Sequence, residues 1–327
     1  MEWPEVPPPD LPEEIFEEVT RINPIIQNMR KPANWGNGTS TFFTTSDGYK
    51  IHYRTWGRVP PERAENLIVC LHGFHSHGEK WAILADQFMD QNWVTCAPDL
   101  RGHGLSWRSP GDRGDIDNYE IWVRDTIEFL EFLADHYPAA TIHIVAESMG
   151  AGIAVHVANT HPRHLVSLIL ISPAILTRKS VGFSVLLEAL TFGLVASASR
   201  QVIPDRSKGH FGTNRHEYME YQASDPLRMP KSTPRYNFQV LKMIYELRKL
   251  RLGEFYPTLI FYGGADHLVD IKGVKQLILR INTKKKALHY IPAAAHELIT
   301  DRNAEKYGLF EKIEAWISNA PYCVPPA

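Results

Sequence analysis

The sequence predicts an α/β fold: a mostly parallel, doubly wound sheet with helices on both faces, an N-terminal antiparallel hairpin and an inserted helical cap. Three observations predict it. Short continuous apolar runs alternate with amphipathic stretches from Leu67 to Ile171 and again from Tyr236 to Ile317, as strands buried on both faces alternate with crossover helices. The alternation lapses between Ala174 and Arg235, about sixty residues, which reads as an insertion over the strand ends. Finally, the run Ile142–Gly152 (IHIVAESMGAG) drives an apolar strand straight into a tight turn with Ser148 at its tip and small residues behind it.

Length and composition bound the rest. At 327 residues, 44% hydrophobic and 22% charged, the chain has the make-up of a globular protein able to bury a large core. A formal net charge of -2 supplies no basic excess for nucleic acid. Cys70, Cys96 and Cys323 are too few and scattered for a disulfide framework. The N-terminus is acidic and proline-rich, where an export signal would be basic and then apolar. A reducing, cytoplasmic setting is expected. The apolar stretch 181–198 is broken by Glu188, which argues against a membrane span.

Taken in order, residues 1–40 form an N-terminal extension. Its apolar positions Ile15, Phe16, Val19, Ile22, Ile25, Ile26 and Met29 recur at helical spacing, although Pro24 interrupts them. The favoured role of this amphipathic helix is packing on the main domain; a lid or dimer contact is the alternative. The core is assigned to 41–173 and 236–327. It opens with strands Phe42–Ser46 and Tyr49–Trp56 joined through Asp47-Gly48, a two-residue hairpin signal. Next come strand Leu67–Leu71, a helix near Glu79–Gln91, strand Trp93–Ala97, a helix near Asn118–His136 and the strand entering Ser148. A helix Gly150–Asn159 and a strand Leu165–Ile171 follow. After the insertion, 174–235, the elements are helix Tyr236–Leu250, strand Thr258–Tyr262, helix Val274–Ile281, strand Ala287–Ile291 and helix Ala304–Ile317. Within the insertion, Phe183, Leu187, Leu190 and Leu194 are candidates to line an apolar pocket, or to form the small core of the cap itself.

A serine hydroxyl becomes a nucleophile when a base takes its proton, and a sharp strand-to-helix bend exposes it. Ala146 and Gly150 flank Ser148 where side chains would crowd that bend. In a doubly wound sheet, the base and the acid that orients it come from loops after later strands. Asp266 follows one strand in FYGGADH and His296 follows the next in IPAAAHEL. Asp270 and Asp301 are alternative acids and His289 an alternative base by proximity, but Asp270 sits at a helix N-cap position and His289 lies inside a strand. Two donors must also face a developing oxyanion. The amide of Met149, at the helix N-terminus, is one candidate; that of Phe74, after His72-Gly73, is the other. His75, His77 and His103 lack zinc-like spacing with other ligands, and no phosphate-cradling glycine motif precedes a helix. No metal or cofactor is expected.

Together these residues resemble the α/β-hydrolase superfamily, specifically its monoglyceride lipase and lysophospholipase-like branch, also grouped with serine aminopeptidases. The resemblance runs from about Phe42 to Ile317 and includes CLHGF, APDLRGHGLS, GDRGDIDNYEIWVRD, AESMG and ASDPL. It implies a serine hydrolase with an apolar acyl pocket beneath a helical cap. The chain departs from that branch in having Ala146-Glu147 where Gly-His is usual, and His75-Ser76 where Gly-Glu is usual. Glu147 beside the nucleophile would either tune the base or pair with a neighbour.

The expected activity is cleavage of a carboxylic ester, a monoacylglycerol or lysophospholipid, by Ser148, His296 and Asp266, with Phe74 and Met149 as oxyanion donors. The expected partner is a small acyl ester or lipid, with transient contact of the cap with a membrane and no nucleic acid. A peptidase, thioesterase or acyltransferase on the same triad is one alternative. A non-catalytic ligand receptor is another.

Overall fold

The computed structural model describes residues 38–162, 164–178, 203–204, 212–229, 231–250, 252 and 255–319. The expected N-terminal helix and the pocket candidates Phe183, Leu187, Leu190 and Leu194 lie outside the described residues.

Eight strands form one sheet: β1 (Thr39–Thr44), β2 (Lys50–Trp56), β3 (Asn66–Leu71), β4 (Trp93–Pro98), β5 (Thr141–Glu147), β6 (Leu165–Ile171), β7 (Thr258–Gly263) and β8 (Lys286–Ile291). Their order is β1-β2-β4-β3-β5-β6-β7-β8. β2 pairs antiparallel with β1 and with β4, and every other pairing is parallel. After β3 the chain turns to one side for β4 and to the other for β5. The crevice at the carboxyl ends of β3 and β5 is therefore a topological switch point, where open α/β sheets place ligands.

The apolar run of β3 shows why it reads as continuous. Leu67, Val69 and Leu71 point into the core on one face, Ile68 and Cys70 into the core on the other. On the first face pack the helices α2 (Glu120–His136), α3 (Met149–Ala158), α5 (Pro234–Leu247) and α6 (Ile271–Arg280); on the second pack Trp81, α1 (Ala82–Gln87) and α8 (Leu309–Ser318). α2 buries Trp122, Thr126, Phe129, Leu130 and Leu133, the spacing of one helical face. Phe129 anchors the hairpin to it, with its ring 5.7 Å from Phe43 and 5.1 Å from Tyr53. Truncating such a buried ring to alanine costs about 3–5 kcal/mol. α3 is buried at every residue, which its small MGAG start allows.

Three elements differ from the sequence expectation. The hairpin loop is longer than two residues: Gly48 N donates to Thr45 O (2.8 Å), and Gly48 takes φ +72°, closing a turn over Ser46, Asp47 and Gly48. The helix expected over Glu79–Gln91 begins as a 3-10 turn, Gly78–Trp81, before α1. His77 caps that turn by accepting from Glu79 N, and Gly78 lies so close to β4 that a Cβ would sit 2.6 Å from Ala97 O. The last helix divides at Gly308, φ +78°, into α7 (Arg302–Lys306) and α8, because a left-handed residue ends the run of helical hydrogen bonds. Of the insertion, α4 (His216–Ser224) and a two-residue pairing of Ile203–Pro204 with Lys231–Ser232 are described.

A buried ionic knot fixes the loops at the top of β2 and β4. Arg54 Nε donates to Glu79 Oε2 (2.7 Å) and Nη1 to Asp99 Oδ1 (2.9 Å), while Asp99 also accepts from Gly78 N (2.7 Å) and Leu105 N (3.0 Å). Burial would raise the Asp99 carboxyl, but Arg54 and then His52 hold it well below the usual carboxylate range.

Candidate active site

β5, buried from Ile142 onward, leads into Ser148, whose backbone takes φ 54° and ψ -115° before α3 begins at Met149. Ser148 N donates to Ile171 O (2.9 Å), and its carbonyl accepts from Ala174 N (3.1 Å), so the bend is pinned to the end of β6. Gly150 passes so near β3 that a Cβ would stand 2.5 Å from the carbonyl oxygens of Leu71 and His72. Ala146, fully buried and paired with Leu71 and Leu170, keeps its methyl group. The turn thus demands glycine on one side of the serine and tolerates alanine on the other.

The loop after β3 passes beside the serine. A Cβ at Gly73 would lie 3.1 Å from Ser148 Cβ and 3.7 Å from its Oγ. His72 holds that loop: its Nε2 accepts from Leu100 N (2.9 Å), which leaves Nδ1 to donate to Gly73 O (2.9 Å). Burial, then the neighbouring His103, keeps the His72 imidazole well below its ordinary value and so neutral, as this acceptor role requires. Phe74 follows at once, with its ring 4.0 Å from His75 and 5.1 Å from Tyr236. Gly73, the residue before Phe74, thus passes beside Ser148, and Met149 directly follows it at the start of α3.

His296 and Asp266 meet across the ends of β7 and β8. His296 Nδ1 stands 2.7 Å from Asp266 Oδ2, with Asp266 fully buried and His296 nearly so. Gly263 makes the approach possible, since a Cβ there would lie 2.5 Å from Ala294 O. The other carboxylate oxygen, Oδ1, accepts from Leu268 N (2.7 Å) and Val269 N (3.0 Å). Burial would raise Asp266, but the His296 charge and these two amides hold it below its ordinary value. Conversely, burial would lower His296, but Asp266, followed by Glu147 and Glu297, holds it above. The competing acids have other tasks: Asp270 caps α6 through Lys272 N (2.9 Å), and Asp301 caps α7 through Asn303 N (2.7 Å). His289 stacks on Phe261 within the sheet.

His77 and His103, the other histidines near the site, are held by hydrogen bonds to neighbouring elements. His77 Nε2 lies 2.6 Å from Asp225 Oδ2, and His103 Nε2 lies 2.8 Å from the Tyr236 hydroxyl. Asp225 belongs to a stretch that crosses the loop after β3, where Met229 N also donates to His75 O (3.2 Å). Among the described residues no group of three or more His, Cys, Asp or Glu is arranged to hold a metal ion.

One feature lay beyond sequence reasoning. Lys80 Nζ donates to Glu147, the residue before Ser148, and lies 3.3 Å from Glu297 Oε2, the residue after His296. Glu147 stood out in the sequence as a departure at the elbow; nothing marked Lys80 as its partner.

The family described as serine aminopeptidase, S33 matches residues 62–303, which span the elbow, the Asp266–His296 pair and most of the sheet. A monoglyceride lipase of Homo sapiens is 27% identical over 280 residues, 84% of this chain and 88% of that one. A monoacylglycerol lipase of Mycolicibacterium smegmatis is 23% identical over 280 residues, 84% of this chain and 95% of its own. The solved structure of a soluble variant of monoglyceride lipase from Saccharomyces cerevisiae superposes with a TM-score of 0.76 at 18% identity, covering 90% of this chain and 97% of that one. By its fold and by the matched residues, the chain is an α/β-hydrolase that belongs to the serine aminopeptidase S33 family.

Proposed function

We propose that the protein is a serine esterase cleaving carboxylic esters of lipid type, a monoacylglycerol or lysophospholipid, through an acyl-enzyme. The observation that carries this reading is the buried His296–Asp266 pair, 2.7 Å apart, on the same rim of the sheet as a serine at positive φ. In this reading Ser148 Oγ attacks the ester carbonyl as His296 Nε2 takes its proton. The oxyanion is held by the amides of Phe74 and Met149, each worth about 3 kcal/mol of barrier. Collapse expels the alcohol, which receives the proton from His296. Water then attacks the acyl-enzyme by the same route, releasing the acid and restoring Ser148. The names of the monoglyceride lipase relatives support the lipid ester as substrate. A cap over residues 174–235 would enclose the acyl chain.

The family description raises an aminopeptidase as the second reading. A free substrate amino terminus calls for an unneutralised acid near the nucleophile. The two acids adjoining Ser148 and His296 are both engaged by Lys80, which favours the ester. As the test, wild-type protein should react with a fluorophosphonate probe and turn over monoacylglycerols faster than aminoacyl amides or acyl thioesters, and Ser148→Ala should do neither. Labelling that persists in Ser148→Ala would refute the nucleophile; faster cleavage of the amides would refute the substrate class.

A further inference from the structure

The charge cluster beside the site takes no part in the steps above. Glu147 ends β5 immediately before Ser148, Glu297 immediately follows His296, and Lys80 lies in the 3-10 turn Gly78–Trp81, just beyond the loop that carries Phe74. Its ammonium donates to Glu147 Oε2 and lies 3.3 Å from Glu297 Oε2. The side chains of Lys80, Glu147 and Glu297 are 4%, 2% and 18% exposed. Glu297 is held in turn by Gln222 Nε2 (3.0 Å), and Gly212 packs against its carboxylate so closely that a Cβ would collide with it.

A buried ammonium with two carboxylates is a poor way to gain stability, because desolvation offsets most of the attraction. It is a good way to fix direction. In the sheet, β6 and β7 stand between β5 and β8, so no shared ladder ties the strand that carries the nucleophile to the strand that precedes the base. We propose that Lys80 is a positioning residue that locks the Ser148 elbow and the His296 loop to the oxyanion loop in one register. This inference rests on the Ser148–His296–Asp266 reading. Glu147 and Glu297 also favour the charged form of the His296 imidazole, the form that arises as Ser148 attacks, although burial holds Glu147 itself above its ordinary value. Despite its burial, Lys80 is held charged by Glu147 and Glu297, and Lys80 and then Arg228 hold Glu297 below its ordinary value. The charged and titratable groups facing His296 and this cluster are Asp266, Glu147, Glu297, Lys80, Arg228 and Tyr218.

The experiment measures, against pH, the rate of Ser148 phosphonylation by a fluorophosphonate together with kcat and KM on a short-chain aryl ester. Lys80→Met should lower kcat and the labelling rate by about 30-fold while KM stays within about threefold, since misplaced reacting groups cost rate rather than binding. Glu297→Gln keeps the shape but removes a negative charge, so it should move the acid limb of kcat/KM down by about half a pH unit. Lys80→Met that labels at the wild-type rate would overturn the proposal. Should Lys80→Met fail to fold, an unmoved acid limb in Glu297→Gln would overturn it. Wild-type protein that does not label at Ser148 would instead refute the underlying reading, so the two failures are distinct.

Discussion

Asp266→Asn separates geometry from charge at the site. The substitution is isosteric, and the environment dictates its orientation. Oδ1 accepts from Leu268 N (2.7 Å) and Val269 N (3.0 Å), so the asparagine carbonyl must occupy that position. Its amide NH2 is then directed at His296 Nδ1, which the carboxylate now approaches to 2.7 Å. A donor there forces Nδ1 to accept and moves the imidazole proton to Nε2, the nitrogen that in the proposed mechanism takes the proton from Ser148. The fold should survive, because both backbone amides keep their acceptor. The expected loss is about 10³–10⁴ in kcat, close to 4–5.5 kcal/mol of barrier, with KM nearly unchanged. Steady-state kinetics on an aryl ester, alongside a thermal melt, makes the measurement. A loss below about tenfold in well-folded protein would show that the proton inventory assigned to His296 is wrong.

Three further outcomes are expected. Because Asp266, Glu147 and Glu297 hold His296 above its ordinary value, the acid limb of kcat/KM should have its midpoint above about pH 6.5. The stability gained by charging His296 has the opposite sense, being fully present below about pH 6.5 and lost as pH rises through the raised folded value; paired pH–rate and pH–melting curves check both. Arg54→Met removes the cation facing Glu79 and Asp99, each at most 1% exposed, and should cost about 3–5 kcal/mol, or roughly 10 °C in Tm. Gly150→Ala sets a methyl against two fixed carbonyls and should destabilise by about 1–3 kcal/mol, whereas Ala146→Gly should leave kcat/KM within about threefold.

What the sequence disclosed tracks the range of the interactions involved. β6 coincides with the strand read as Leu165–Ile171, because a strand covered on both faces announces itself by an unbroken apolar run. The strands leading to Ser148 and Asp266 were legible for the same reason, that leading to His296 less so because it is a partly exposed edge strand, and Asp270 because a capping residue acts on its own helix. The Gly308 break, by contrast, interrupts a helix whose apolar spacing continues across it. Lys80–Glu297 and His77–Asp225 join residues 217 and 148 positions apart, and nothing local at either end records such a partner. The Arg54–Glu79–Asp99 knot was hidden for the same reason, with the added disguise that buried charges look in sequence like surface ones.

The dihedral angles of Ser148 have a consequence for how the protein is kept. A non-glycine residue at φ 54° and ψ -115° occupies a region that costs about 1–3 kcal/mol and that glycine enters freely. Folding alone would favour glycine at that position. In the proposed mechanism the hydroxyl is present at the expense of the local backbone, and its chemistry offsets the strain. A lineage of this chain released from selection for turnover would be expected to lose its serine before it lost its shape.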